Sequence, residues 1–438
     1  MGPDGNLACV PAILVCLTRH PAAEDDVTAA IPTRAPPVGS DHGAPAARAD
    51  LGDGAPEQPA PIAGFEQRNR HFDRLVATPG LMWMGQNTNH MPAHPEVTLA
   101  MHAAIAAGDY QIYAPPSGLE ALRAGIVADL GLPGAVAHVT DGAVSALYHI
   151  VRTLLAPGHE FVTTDPTWKW PVNFATEAGA TVRQIPIYGA EYGYRLSPAR
   201  LAEAIGPETR LVYLVDPNNP LGTAATAEEI AGFVDVLRAR GIYLIHDCTY
   251  RDFAYDHTLA ARLYPERTIT TYSFSKWLGL AGLRVGAMVG DPGLIARLAA
   301  APPNNLGSSL IAQRAAVAGL AIKAEWFPGV LAANRENQRR IVAAVESLPG
   351  LSVPIPRSNG NFLVVETAED APAPEAICAA LARRNILIRQ GAYHTPAFGH
   401  RFIKISTSVP AAWAEALIAA LPDALDEARE APAGARLF

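Results

Sequence analysis

One lysine stands in a frame that solubility alone would not require. In residues 271–290, TYSFSKWLGLAGLRVGAMVG, Lys276 follows Ser273 and Ser275 and precedes Arg284. Residues 285–289 are apolar and punctuated by glycine, so the stretch reads as a buried turn between strands. An ammonium group there is costly unless it has a partner or a covalent use. A lysine pushed toward neutrality by burial is the usual Schiff-base nucleophile. The two serine hydroxyls and the Arg284 guanidinium are donors suited to a phosphate monoester. An imine-forming amine beside a phosphate site points to pyridoxal phosphate.

The pattern S-x-S-K-x-x-G-L-x-G-x-R-x-G resembles the cofactor-lysine motif of the class I/II aminotransferases, the aspartate aminotransferase superfamily of fold type I. Further segments are similar to that family in the family's order. YQIYAPPSGLEALR resembles its Y-x-x-x-x-G segment, and the resemblance implies that Tyr113 reaches the phosphate of a neighbouring subunit, making the enzyme at least a dimer. The alternative for Tyr113 is a buried turn aromatic. Gly142, Ala143 and Val144 open an apolar helix whose backbone N–H groups would form an anion site without a charged side chain. Trp168, after a strand end, matches the ring that stacks on the pyridine face, whereas Trp170 reads as core packing. Asn219 in N-P-L-G and Tyr250 in D-C-T-Y would donate to the cofactor's phenolic oxygen. Asp247 would keep the pyridine nitrogen protonated, which makes the ring an electron sink.

These groups require strands that end at a common edge. Strand, helix and strand alternate through residues 130–289, which predicts a doubly wound, mostly parallel sheet with helices on both faces, the large domain of fold type I. Beyond residue 320, helices and strands mix without βαβ regularity, as in a smaller α+β domain. The expected division is 1–61, a disordered Pro- and Ala-rich leader; 62–108, an N-terminal segment contributing to the small domain; 109–320, the cofactor-binding large domain; 321–428, the small domain; and 429–438, a disordered tail. Residues 8–17 resemble the core of a secretory signal but lack a basic segment before them.

Composition narrows the partners. The 438 residues are 49% apolar and 17% charged with a net charge of -8, an ordinary composition that shows no basic stripe and argues against nucleic acid or an acidic membrane surface. No apolar run approaches the length of a membrane span. Cys9, Cys16, Cys248 and Cys378 are scattered without metal spacing, so no metal site is expected and a reducing cytoplasm fits. Small-molecule amino acid and keto acid substrates are the expected partners.

The substrate side departs from the family pattern. The resemblance implies an arginine on the last strand of the small domain, gripping the substrate carboxylate in a bidentate fork; here FIKIS places Lys404 in that position. An ammonium binds a carboxylate only as a point charge. Arg401 is an odd number of residues away and points to the opposite face of a regular strand. Asn87, Asn89, His90 and Arg389 are the further candidate substrate contacts, the first three also reading as an Asn-rich loop before a helix. Together these features predict ping-pong transamination in which Lys276 serves as Schiff-base amine and then as general base. Oxidases, oxygenases, decarboxylases and lyases of the same fold share every cofactor residue named and remain the alternative; a ligand-sensing regulator resembles this domain fused to a basic winged helix, whereas the leader here is Pro-rich and not basic.

Overall fold

The chain forms two units, residues 1–61 and 62–438. The structure, a computed structural model, describes residues 62–301 and 306–430. The leader, with Cys9 and Cys16, and all but the first two residues of the expected tail therefore lie outside the described residues.

Helix α1 (Ile62–Ala77), strand β1 (Met82–Trp83) and helices α2 (Pro95–Ala106) and α3 (Glu120–Leu130) come first. Strand and helix then alternate through β2 (Val136–Thr140), α4 (Ala143–Leu154), β3 (Glu160–Asp165), α5 (Trp170–Glu177), β4 (Thr181–Pro186), α6 (Pro198–Ala204), β5 (Thr209–Val215), α7 (Ala227–Arg238) and β6 (Tyr243–Asp247). Strands β7 (Thr268–Ser273) and β8 (Gly286–Gly290) precede α8 (Pro292–Ala299) and the long α9 (Leu310–Glu346). The remainder is β9 (Leu351–Ser352), β10 (Phe362–Thr367), α10 (Pro374–Ala382), β11 (Ile386–Leu387), β12 (Arg389–Gln390), β13 (Phe402–Ser406) and α11 (Ala411–Glu430).

Seven strands form the central sheet in the order β2-β8-β7-β6-β5-β3-β4, with β8 antiparallel to both neighbours and the other pairings parallel. The α/β class expected from the alternation is observed. Strands β5, β6 and β7 are buried along nearly their whole length, as expected of parallel strands covered on both faces. Helix starts are set locally: Thr226 and Glu229 make a reciprocal capping box on α7, and Asp291 caps α8. A second sheet, β12-β13-β10-β9, is antiparallel, and β1 pairs in parallel with β11.

Three expectations need correction. Residues 285–289 are not a turn: Gly286–Gly290 is a full strand inserted between β2 and β7. Residues 386–389, ILIR, read by composition as a single strand, but they divide between two sheets, because β11 pairs with β1 while β12 pairs with β13. Helix α9 carries a stretch long and apolar enough to cross a membrane, although no such run was expected. Here α9 packs against α2 and α3, and Lys323 on it bonds both Asp129 and Asp252.

Gly286 fixes how closely β8 approaches the start of α4. A Cβ at this position would lie 2.6 Å from the Ala143 backbone nitrogen and 2.8 Å from the Tyr272 carbonyl oxygen, both main-chain atoms that cannot rotate away. Gly286→Ala is expected to destabilise the fold by about 1–3 kcal/mol, the usual cost of overpacking, and to weaken retention of an anion at the start of α4. Urea unfolding and phosphate affinity, measured side by side, check both.

Candidate active site

The C-terminal ends of β5, β6 and β7 open into a cavity of about 550 Å³ lined by Asn219, Asp247, Tyr250, Ser273, Ser275, Lys276 and Arg284 among others. Such crevices beyond the carboxyl ends of open parallel sheets are where ligands bind. Ala143, Val144, Trp168, Asn87, Arg389 and Lys404 also line it, from α4, the β3–α5 turn, the segment after β1, and the antiparallel sheet.

Lys276 follows directly from the end of β7. Its Nζ donates to the Gln86 carbonyl at 3.1 Å and lies 5.9 Å from the centre of the Tyr250 ring. Burial lowers its pKa to about 8, with Arg284 acting in the same direction and Asp247 opposing both.

The walls of the pocket are built for an anion at one end. Gly142 adopts φ 77°, and a Cβ there would meet the Arg284 guanidinium at 2.4 Å. Gly142 is itself behind the wall; its role in the geometry is to let Arg284 lie against the start of α4. Arg284 donates to the Ala281 and Asp141 carbonyls. The first-turn N–H groups at Ala143 and Val144 have no partner inside their own helix.

Asp247 is buried but surrounded by donors. Tyr213 donates its hydroxyl to Oδ2 at 3.0 Å, while Thr249 Oγ1 and Thr271 Oγ1 each donate to Oδ1 at 2.7 Å. The burial of the carboxylate is thereby offset by hydrogen bonds. Asp247 in turn raises the Tyr213 pKa, secondary to burial, so that the phenol stays a donor.

Opposite lies the substrate-side cluster. Asn87, in the left-handed region at φ 54°, donates to the Tyr250 hydroxyl at 3.0 Å and to Asn219 Oδ1 at 3.4 Å. Its backbone is held by Ser406 and Asn361. A non-glycine residue so constrained at a pocket wall is typical of functional sites. Lys404, only 3% exposed, donates to Asn219 Oδ1 at 3.3 Å and faces Arg389 across the β12–β13 pair. Burial, Arg389 and Lys276 together press its pKa well below the ordinary lysine value. Among the described residues no carboxylate lies within ion-pair distance of it. Arg401 sits in a turn before β13 and contacts Glu366 and the Tyr188 ring, away from this cluster.

Besides Gly142, three expected site residues are not on the wall. Asn89 is buried beside it, donating to the Trp277 carbonyl and accepting from the Met91 N–H. His90 bonds Thr88 and packs on Trp413 at 5.1 Å between ring centres. Tyr113 is 80% exposed on the surface. Conversely Trp170, read from sequence as core packing, lines the pocket, as do Phe72, Thr88, Thr249, Tyr393 and His394. The two tryptophans flank one lysine in W-K-W, a signal that could have included Trp170. The donors Tyr213 and Thr271 come from strands adjacent to β6, and only the sheet order reveals them.

His246, Cys248 and His257 place potential metal ligand atoms within 4.8 Å of one another. Their hydrogen bonding does not suit a metal. His246 Nδ1 accepts from the Ala260 N–H, whereas a ligating histidine donates from its second nitrogen. The Nε2 hydrogen is directed at Asp216, which His257 also contacts.

The family described as aminotransferase class I and II matches residues 79–421, and the chain belongs to it. Histidinol-phosphate aminotransferase 2 of Ralstonia nicotianae is 33% identical over 353 residues, covering 79% of this chain and 88% of that protein. The aspartate/prephenate aminotransferase of Thermus thermophilus is 28% identical over 357 residues, 78% of this chain and 89% of that protein. The solved N-succinyldiaminopimelate aminotransferase of Mycobacterium tuberculosis has the same fold, with a TM-score of 0.72 at 22% identity over 84% of this chain and 100% of that one. The protein is therefore a transferase that uses pyridoxal phosphate, with amino acids and keto acids as its small-molecule partners.

The residues present fit that cofactor: an anion cup with uncapped backbone donors, a carboxylate held by donors chiefly at Oδ1 with Oδ2 accepting only from Tyr213, and an amine of lowered pKa converge on one cavity. The depressed amine yields a prediction without cofactor. Because the folded pKa of Lys276 is about 8 and the ordinary value 10.5, the unfolded chain binds more protons between these pH values, and this group makes stability rise with pH across that window. Labelling of Lys276 in cofactor-free protein by an amine-selective reagent, followed by mass spectrometry, should show a midpoint near pH 8. A midpoint near that of surface lysines would contradict the burial argument.

Proposed function

We propose that this enzyme moves the amino group of an amino acid to a keto acid in a ping-pong cycle. The observation that carries the proposal is Lys276: a half-buried amine on the cavity wall with a lowered pKa, set between the anion cup and Asp247. When bound, the cofactor supplies the electron sink that makes the substrate Cα–H acidic. Lys276 holds it covalently and, once released, takes the proton from the substrate Cα and returns one on the far side of the reaction. Arg284, Ser273, Ser275 and the start of α4 bind the phosphate. Asp247 would pair with the ring nitrogen, Trp168 would cover the ring face, and Asn219 and Tyr250 would hold the phenolic oxygen. Lys404 and Asn87 already occupy Asn219 Oδ1, which leaves the amide nitrogen of Asn219 to face the cofactor.

Lys404, with Arg389 beside it, is the proposed anchor for the substrate carboxylate. An anion entering next to Lys404 restores the charge that burial removes, so binding and protonation of this lysine reinforce each other. Asn87 is the further proposed contact; Asn89 and His90 support that segment from behind. Residues 62–108 and 321–428 are assigned to the small domain, in line with the β1–β11 pairing, and 109–320 to the large one. A homodimer is proposed from Tyr113, which with Tyr110 and Ile112 exposes an aromatic and aliphatic cluster suited to a second copy. Cys248 and Cys378 are free and buried, consistent with a cytoplasmic setting.

Lys276→Ala should abolish turnover while leaving cofactor affinity measurable; normal turnover in that variant would overturn the assignment. An oxygen electrode run beside a keto-acid-dependent assay separates transamination, which consumes no oxygen, from oxidation.

Lys404→Ala is expected to raise KM for the amino acid by roughly tenfold or more, the loss of a charge-assisted bond of ~1.5–3 kcal/mol, whereas Lys404→Arg keeps or improves binding. An unchanged KM in Lys404→Ala would move the anchor to Arg389. In a mixed dimer, Lys276→Ala and Tyr113→Phe subunits should restore partial activity, and a verified mixed dimer that stays inactive would argue against a site shared between subunits.

A further inference from the structure

At the opposite edge of the sheet, three arginines converge on one tyrosine. Tyr243 begins β6; Arg210 is the second residue of β5, Arg267 immediately precedes β7, and Arg297 lies in the last turn of α8. Their guanidinium carbons lie 5.1, 4.7 and 5.4 Å from the centre of the Tyr243 ring, and Arg297 also donates to its hydroxyl at 3.2 Å. The register contributes to the meeting: Leu244 pairs with Thr268, which sets Arg267 level with Tyr243, and Arg210 immediately precedes Leu211, the partner of Tyr243 on β5.

This concentration of charge is not balanced by acids. Among the described residues none of the three arginines makes an ion pair, although Glu208 and Glu266 are close in sequence. An aromatic ring offers two faces to cations, each contact worth about 0.5–1 kcal/mol at an exposed site, so three guanidinium groups exceed what one ring accommodates. Three like charges gathered around one ring, each about 5 Å from its centre, also repel one another. The Tyr243 hydroxyl responds in the expected sense: burial opposes its ionisation, but Arg297, Arg267 and Arg210 together lower its pKa. Arg210 and Arg267 are half-buried and Arg297 is exposed, so their planar donor forks remain within reach of solvent.

We propose that Arg210, Arg267 and Arg297 form a binding site for a multiply charged oxyanion, a phosphate group either free or esterified, at the edge of the sheet remote from the active site. Guanidinium groups bind such oxygens through paired, charge-assisted hydrogen bonds, and one dianion between them replaces mutual repulsion with attraction. The Tyr243 ring fixes the directions from which the guanidinium groups approach.

The test uses the holoenzyme, so that the cup around Arg284 is filled, and titrates inorganic phosphate, pyrophosphate and ATP by calorimetry in a chloride buffer. At least one probe should bind saturably. The double variant Arg210→Gln/Arg267→Gln should bind it roughly tenfold or more weakly, a loss of at least ~1.4 kcal/mol, with turnover unchanged. Equal affinity for phosphate and ATP would identify a site for the free ion, and much tighter ATP binding a site for an esterified group. The ultraviolet titration of Tyr243, assigned by its loss in Tyr243→Phe, should move to higher pH when the anion is bound. Absence of saturable binding for all three probes, or equal binding by wild type and the double variant, would overturn the proposal.

Discussion

An amine kept out of water is the constraint to which the pocket is fitted. Holding Lys276 in its charged form costs about 3 kcal/mol relative to water, from its lowered pKa. That penalty is present only because β5, β6 and β7 are covered on both faces and end at one level, leaving the amine beneath the walls of a cavity and not on a surface. Burial sets the shift, Arg284 adds to it and Asp247 opposes it, so the two groups proposed to hold the cofactor also adjust the state of the lysine.

The same balance recurs at Lys404. Two lysines and Arg389 share a cavity in which Asp247 is the carboxylate among the lining residues, and Asp247 is already engaged by Tyr213, Thr249 and Thr271. Such a cavity accepts anions by default. A lysine in the usual arginine position makes the acceptance conditional, because an ammonium can give up its proton when buried whereas a guanidinium does not. With Lys404 as the proposed anchor, substrate charge and site protonation would be linked.

Much of this was legible before any coordinates. Lys276, Asp247, Asn219, Trp168 and Arg284 carry chemistry in their residue types and follow strands whose apolar runs are plain, so their gathering at one edge follows from strand–helix alternation. Tyr213 was not legible, because a tyrosine in an apolar strand is ordinary until the sheet order places its hydroxyl 3.0 Å from Asp247. Asn89 and Asn87 could not be told apart in sequence. A left-handed backbone at Asn87 turns one side chain into the pocket while the other bonds to the chain behind Lys276. The division of residues 386–389 between sheets depended on β1, a two-residue strand too short to have a pattern of its own.

That short strand has a consequence for how the chain is made. Met82 and Trp83 find their partners at Ile386 and Leu387, and Arg389 closes onto the Gly85 carbonyl across 304 residues of sequence. On the ribosome, the segment bearing Gln86 and Asn87 must therefore wait until most of the polypeptide has been synthesised before its own pairing partner exists. Contacts of such high sequence separation form late and slowly. The nascent enzyme passes through a stage in which the parallel sheet can assemble while one wall of its pocket is missing, and apolar residues beside that wall, Met84 of the core among them, are exposed to chaperones and to aggregation for the length of that delay.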